Sequence, residues 1–215
     1  MEGLSTTKKN KQLAIVGITV LIVLILDQWL KYYIKTNFTL GESRMMINDW
    51  FELHFTENPG MAFGLELGGS WGKIVLTTFR IIASAIIFIY IRNLIKEGAK
   101  TAMVILVSLI LAGALGNIID SLIYGRIFSE STYHSIATLL PEGGGYAPYF
   151  RGKVVDMLYF PLLDTFWPDW VPMLGGSRLQ FFRPVFNIAD AAISIGVFTI
   201  IAFRSTLFPQ SQQKN

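Results

Sequence analysis

Four stretches of the chain, at about 13–34, 74–95, 102–123 and 186–207, stay apolar for the roughly 20 residues a helix needs to cross a bilayer core. In hydrocarbon every backbone N–H and C=O must be satisfied within the segment, so such stretches are restricted to helices. Composition agrees: 52% of the 215 residues are hydrophobic and only 15% are charged, against about a quarter in a soluble domain. The expectation is a mainly α membrane protein with four transmembrane helices, forming one domain over 1–215. The absence of cysteine excludes disulfides and a cysteine nucleophile, and two histidines make a histidine-rich metal site improbable. The first stretch follows Lys8, Lys9 and Lys11 like a secretory signal, but Asp27-Gln28-Trp29-Leu30-Lys31 continues the helix where a cleavage site would stand, so a retained anchor is expected.

Lys and Arg near span ends set orientation. Lys8, Lys9 and Lys11, then Arg92, Lys96 and Lys100, then Arg204 and Lys214 fall on one side of a four-span topology. That side is expected to be cytoplasmic, with about 35–73 and 124–185 external; Arg126, Arg151, Lys153, Arg178 and Arg183 in the second external segment weaken the bias. Within these segments, 46–56 alternates partly and suggests a short strand, and Asn58-Pro59-Gly60 signals a turn. The apolar run 154–163 is too short to cross and reads as interfacial or re-entrant. Two stretches rich in Gly, Pro and aromatics, 128–150 and 164–183, read as loops on the bilayer surface.

Carboxylates inside apolar segments are costly and point to function. At 1.5 Å per residue, Asp27 lies roughly 21 Å along the first span and Asp120 roughly 27 Å along the third. Asp190 sits in the first turn of the fourth, and Asp156 just before it. Four carboxylates thus reach one level, the outer leaflet. Asp27 and Lys31 are i,i+4 and able to pair, while Asn117 with Asp120, and Asn187 with Asp190, are i,i+3 and share faces. A helix N-terminus favours Asp190 as the anion, and desolvation would raise the pKa of Asp156. Two carboxylates sharing a proton can attack an amide: the ionised one deprotonates water and the protonated one polarises the carbonyl. Structural readings stand beside this one. Asp27–Lys31 reads first as a structural ion pair, Asn117–Asp120 as a tie between helix ends, and Asp190 as an ordinary N-terminal helix carboxylate.

Five blocks resemble the lipoprotein signal peptidase (signal peptidase II) family of bacterial membrane aspartic proteases. They are Asp27-Gln28-Trp29-Leu30-Lys31, Asn58-Pro59-Gly60-Met61-Ala62-Phe63, Gly113 to Asp120, Gly152-Lys153-Val154-Val155-Asp156, and Phe186-Asn187-Ile188-Ala189-Asp190. They occur in the family's order and touch every span except the second. The resemblance implies four transmembrane helices with both termini cytoplasmic, and an external β-sheet cradle from the first loop. It implies Asp156 and Asp190 as the catalytic pair, supported by Asp27, Lys31, Asn58, Gly60, Asn117, Asp120, Asn187 and Ala189. The implied reaction removes a signal peptide just before a diacylglyceryl-modified cysteine of a prolipoprotein, with the lipid in the bilayer. No metal, cofactor or nucleic acid is expected, a monomer is, and the implied location is the bacterial inner membrane.

Two departures stand out. Ser121 occupies the position after Asp120 where the family usually has Arg, leaving Arg126 to supply that charge or the contact to be absent. The intervals between Asp120, Asp156 and Asp190 are longer than the family's common ones, and the added loops at about 127–150 and 161–183 are expected to form a lid or rim over the cleft. Two other readings remain. Gly68-Gly69-Ser70-Trp71-Gly72 matches G-x-S-x-G and Ser70-Trp71-Gly72-Lys73 matches S-x-x-K, but the first motif needs a strand-to-helix elbow. A small proton-coupled transporter also uses intramembrane carboxylates, though it places them near the midplane, often with inverted repeats.

Overall fold

In the computed structural model, residues 5–59, 69–161, 163–181 and 184–207 are described. The chain begins with helix α1 (Thr6–Asn37), whose N-cap Ser5 accepts from the Lys8 amide. Strands β1 (Ser43–Ile47) and β2 (Phe51–Asn58) follow, then helices α2 (Gly69–Glu97) and α3 (Thr101–Ile119). A π turn over Asp120–Tyr124 carries α3 into the single turn α4 (Gly125–Ile127). Strand β3 (Val154–Tyr159), the strand pair β4 (Leu163–Phe166) and β5 (Arg178–Phe181), and helices α5 (Ile188–Ala202) and α6 (Arg204–Leu207) complete it.

The helices are built for a solvent of lipid. On α1 the outward residues are Leu21, Ile22, Ile25 and Trp29, whereas Asp27, Lys31 and Lys35 are buried at helical spacing. Polar groups that cannot be solvated by hydrocarbon turn inward and find each other. Among the described residues, three helices are long and apolar enough to cross a membrane, spanning Thr6–Asn37, Trp71–Glu97 and Thr101–Ile127. The third is central: 56% of its most apolar window is buried, against 11% and 17% for the others. It packs on α1, α2 and α5.

Close approach of α3 to α5 depends on small residues, as helix contacts in membranes do. A Cβ on Gly113 would fall on the Ala189 carbonyl oxygen, and one on Gly116 would lie 2.7 Å from Asp27 Oδ2. Two apolar clusters hold the ends of the bundle. Val16, Leu94, Met103 and Leu111 lie toward one end, and Ile34, Phe55, Tyr124 and Met157 toward the other. On α1 and α3 alike, the carboxylate-bearing turns fall between them.

Several expectations change. The fourth apolar stretch, expected to span 186–207, forms only the 15-residue α5, which breaks at Phe203 before α6. At 1.5 Å per residue α5 is about 22 Å long, short of the roughly 30 Å bilayer core. The single strand expected over 46–56 is two strands, because Asn48 takes φ 41° and a 3₁₀ turn over Asn48–Trp50 reverses the chain. Segment 154–163, read as interfacial or re-entrant, opens with β3, which joins an antiparallel sheet of order β1-β2-β3. Val154, Val155, Asp156 and Met157 are all buried, so both faces of the strand are covered and its apolar run is continuous. Part of 164–183, read as loop, is the antiparallel β4–β5 pair, with Leu163 opposite Phe181.

Segment 128–150 is irregular but fastened. Phe128 is buried, Lys35 Nζ donates to Glu57 and to Ser131 Oγ, and Lys153 N donates to Tyr146 Oη at 2.7 Å. Substituting Gly113 by Ala should push α3 from α5 and cost about 1–3 kcal/mol. Thermal unfolding of the detergent-solubilised protein will show this as a lowered midpoint; an unchanged midpoint contradicts the packing.

Candidate active site

A lysine ammonium has three donors and no acceptor. Lys31 Nζ uses all three: Asp27 Oδ2 at 2.8 Å, Asp120 Oδ2 at 2.8 Å and Asn117 Oδ1 at 3.0 Å. Lys31, Asp27 and Asp120 side chains are wholly buried. The i,i+4 pairing expected between Asp27 and Lys31 therefore exists, and Asp120 joins it as a second anion. Gln28, one residue from Asp27, donates to Asp27 Oδ2 at 3.1 Å and Asp120 Oδ1 at 2.9 Å, and accepts from Tyr124 Oη at 3.1 Å.

This core orients two asparagines. The ammonium can only donate, so Asn117 must present Oδ1 to it, which leaves Nδ2 for Asp190 Oδ1 at 2.8 Å. Asn187 is the N-cap of α5: its Oδ1 accepts from the Asp190 amide at 2.9 Å. Its Nδ2 then faces Asp156 Oδ1 at 2.6 Å, with Asn117 Oδ1 at 3.2 Å and the Val155 carbonyl at 3.3 Å. The two amides touch each other, and each holds one carboxylate. The i,i+3 pairings read from sequence take a different form, since Asn117 reaches Asp190 across helices and Asn187 reaches Asp156 across the chain.

The remaining contacts lock the elements that carry these groups. Asp27 Oδ1 accepts from the Ala189 amide at 2.9 Å, joining α1 to the first turn of α5. Asp120 Oδ2 accepts from the Val155 amide at 3.3 Å, joining the π turn to β3. Such π turns inside α-helices often mark functional sites. Asp156, outside the spanning helices, has its carboxyl pushed up to about 7, chiefly by burial and then by the negative charge of Asp190. The Asn187 bond pulls the other way. Asp190 is half-buried, so the two carboxylates sit in unlike surroundings, the condition for dividing acid and base roles.

Of the sequence-predicted residues, Asp27, Lys31, Asn117, Asp120, Asp156, Asn187, Ala189 and Asp190 converge in one network. Asn58 ends β2 opposite Val154, two residues from Asp156, and its carbonyl accepts from Lys73 Nζ at 3.3 Å. Gly60 and Met61-Ala62-Phe63 lie outside the described residues, as does Gly68. Ser70 stands in the first turn of α2, and the segment before Gly69, where the strand of an elbow would lie, is outside the described residues. Ser121 is buried and donates to the Asn117 carbonyl at 2.9 Å. Arg126 stacks 5.5 Å over the Tyr149 ring, so it is engaged there.

The second span, which carries no family block, was the one sequence reasoning left empty. It contributes a polar seam: Lys73, Thr77 and Ser84 are buried and Arg80 is half-buried. Their i, i+4, i+7, i+11 spacing on an otherwise apolar helix was a legible signal for one inward face. Thr77 and Ser84 hydroxyls donate to backbone carbonyls of Lys73 and Arg80, a common way to satisfy hydroxyls in an apolar helix.

A polar network buried among apolar helices at the edge of a small sheet is the setting of a membrane-embedded functional site. A solved structure described as a bacterial membrane enzyme has the same fold, with TM-score 0.55 and 25% identity over 93% of each chain. A second such structure gives TM-score 0.55 and 26% identity. The family model for signal peptidase (SPase) II matches residues 19–206. The lipoprotein signal peptidase of Porphyromonas gingivalis is 46% identical over 188 residues, covering 87% of this chain and 81% of the relative. That of Amoebophilus asiaticus is 40% identical over 198 residues, covering 90% and 79%. The chain belongs to the signal peptidase II family.

Replacing Lys31 by Met would leave two buried carboxylates without their cation. Breaking a buried pair in this way costs about 3–5 kcal/mol. The check is the unfolding midpoint of the purified variant, expected far below wild type; near-wild-type stability would contradict the role given to the ammonium.

Proposed function

We infer that this multi-pass membrane protease removes signal peptides from prolipoproteins, and we propose that it does so as an aspartic endopeptidase cleaving before a diacylglyceryl-modified cysteine. The observation that carries this reading is the pair of touching amides, Asn117 on Asp190 and Asn187 on Asp156, which hold two carboxylates of unlike burial. Family membership supports the protease class and the prolipoprotein substrate.

In the proposed mechanism Asp156, with its pKa near 7, carries the shared proton and Asp190 is the anion at the N-terminus of α5. Asp190 takes a proton from water as the hydroxide oxygen bonds to the scissile carbonyl carbon. Asp156 gives its proton to the carbonyl oxygen, so the tetrahedral intermediate is neutral. On collapse the C–N bond breaks, the proton on Asp190 passes to the leaving nitrogen, and Asp156 recovers its own from the hydroxyl. Asn117 and Asn187 orient the carboxylates throughout, with Asp27, Lys31, Asp120 and Ala189 holding the amides and the helix ends in register. Asn58, at the end of β2, stands at the rim, and in this reading Gly60 supports the site as well.

The remaining elements follow the same reading. The single domain 1–215 has both termini cytoplasmic, as Lys8, Lys9, Lys11, Arg92, Lys96, Lys100 and Arg204 suggest by charge, and α5 together with α6 serves as a fourth span. The site then faces the external leaflet of the inner membrane, in a monomer surrounded by lipid. The fastening of 128–150 to Lys35 and Glu57 suits a fixed rim.

Purified protein in lipid nanodiscs should cleave a diacylglyceryl-modified prolipoprotein. Asp156→Asn and Asp190→Asn should each lower the rate by at least about a hundredfold, while Ser70→Ala stays at wild-type rate. Processing by either aspartate variant at wild-type rate would sink the mechanism.

A further inference from the structure

Arg80 is a guanidinium on a membrane span, and its setting is unusual. Its Nη1 is buried without a hydrogen-bond partner among the described residues, and Arg80 forms no ion pair among them. A buried donor left unsatisfied is costly, so it signals an acceptor that arrives from elsewhere. The carboxylates whose charges reach Arg80 are Asp190 most, then Asp120 and Asp156. Ser84, one turn deeper along α2, and the adjacent Ile81 line an apolar crevice of about 390 Å³ between α2 and α3. Phe88, Leu111, Leu115 and Ile118 continue it. The walls are hydrocarbon, and two of them, Ile81 and Ser84, stand next to Arg80 and one turn from it along α2.

That combination fits an amphiphile, with an apolar chain in the crevice and a hydrogen-bond acceptor beside Arg80. An uncharged acceptor suits this setting, because the ionised Asp190 and Asp120, whose charges reach the guanidinium, disfavour a further anion. A carbonyl oxygen meets the requirement. We propose that Arg80 is a substrate-binding residue whose Nη1 donates to a carbonyl oxygen of the bound substrate, with an acyl chain of that substrate lying in the α2–α3 crevice. This rests on the prolipoprotein reading above. It gives the second span a function and supplies, from another helix, a guanidinium at a site where Ser121 follows Asp120 and Arg126 is engaged with Tyr149.

The carbonyl belongs either to an acyl ester or to the peptide, and a synthetic lipopeptide substrate in nanodiscs distinguishes them. Arg80→Gln should raise KM about tenfold or more with a much smaller change in kcat, as expected for losing a charged donor. Arg80→Lys, which keeps a charged donor, should recover part of the loss. If the Arg80→Gln effect vanishes with an ether-linked dialkyl substrate, the ester carbonyl is the acceptor; if it persists, a peptide carbonyl is. Unchanged KM for both substrates, or a fall in kcat at constant KM, overturns the proposal; the latter would assign Arg80 to the aspartates. In wild type, a diazirine carried on the acyl chain should label α2 and α3 around Ile81 and Leu115, and labelling confined to other helices overturns it without any variant. Failure of the wild type to cleave the substrate at all would instead sink the prolipoprotein reading.

Discussion

The structure depends on one buried ammonium. Lys31 of α1 binds Asp27 of its own helix and Asp120 and Asn117 of α3, and each of these partners then fixes another element. Asp27 takes the Ala189 amide in the first turn of α5, Asp120 takes the Val155 amide of β3, and Asn117 takes Asp190. Taking ions out of water costs several kcal/mol each, and only complete pairing offsets it. The ammonium's three bonds and the carboxylates' additional donors provide that pairing. The result is a rigid frame from which the two outer carboxylates are hung.

Hydrocarbon around the helices sharpens this logic. A span that exposes Leu, Ile and Trp to lipid must turn every polar side chain toward the protein, so polar residues on different spans are driven together. The close crossing of α3 and α5 at Gly113 and Gly116 shortens the distances that hydrogen bonds must cover. Asn187 shows how local structure then serves the site. The same side chain caps α5 with its oxygen and reaches Asp156 with its nitrogen, so the start of a helix sets the direction of a carboxylate.

Much of this was legible in the sequence because lipid imposes long uniform runs and makes each charge within them conspicuous. Asp27, Lys31, Asn117, Asp120, Asn187 and Asp190 stood out for that reason and do converge. Asp156 was placed beside them, but its segment, read as interfacial or re-entrant, is a strand: a short apolar run does not announce a covered strand, and only pairing with β2 decides. The break between β1 and β2 rests on a positive φ at Asn48, which Asn tolerates but does not announce. The shortness of α5 was hidden because apolar composition continues past Phe203 where the helix does not. The seam on α2 was visible at i, i+4, i+7, i+11 spacing and passed over because its residues form no contiguous motif.

The central proposal is that Asp156 and Asp190 share one proton, held by Asp156. Infrared titration of the protein in nanodiscs reads this directly through the carbonyl stretch of a protonated carboxyl group. Because burial raises the Asp156 pKa to about 7, the group is protonated below that value and ionises as pH rises through it. The account predicts a band present at pH 5, fading through about pH 7 and missing from Asp156→Asn. A wild-type spectrum identical to that of Asp156→Asn from pH 5 to 8 would show Asp156 already ionised and contradict the account.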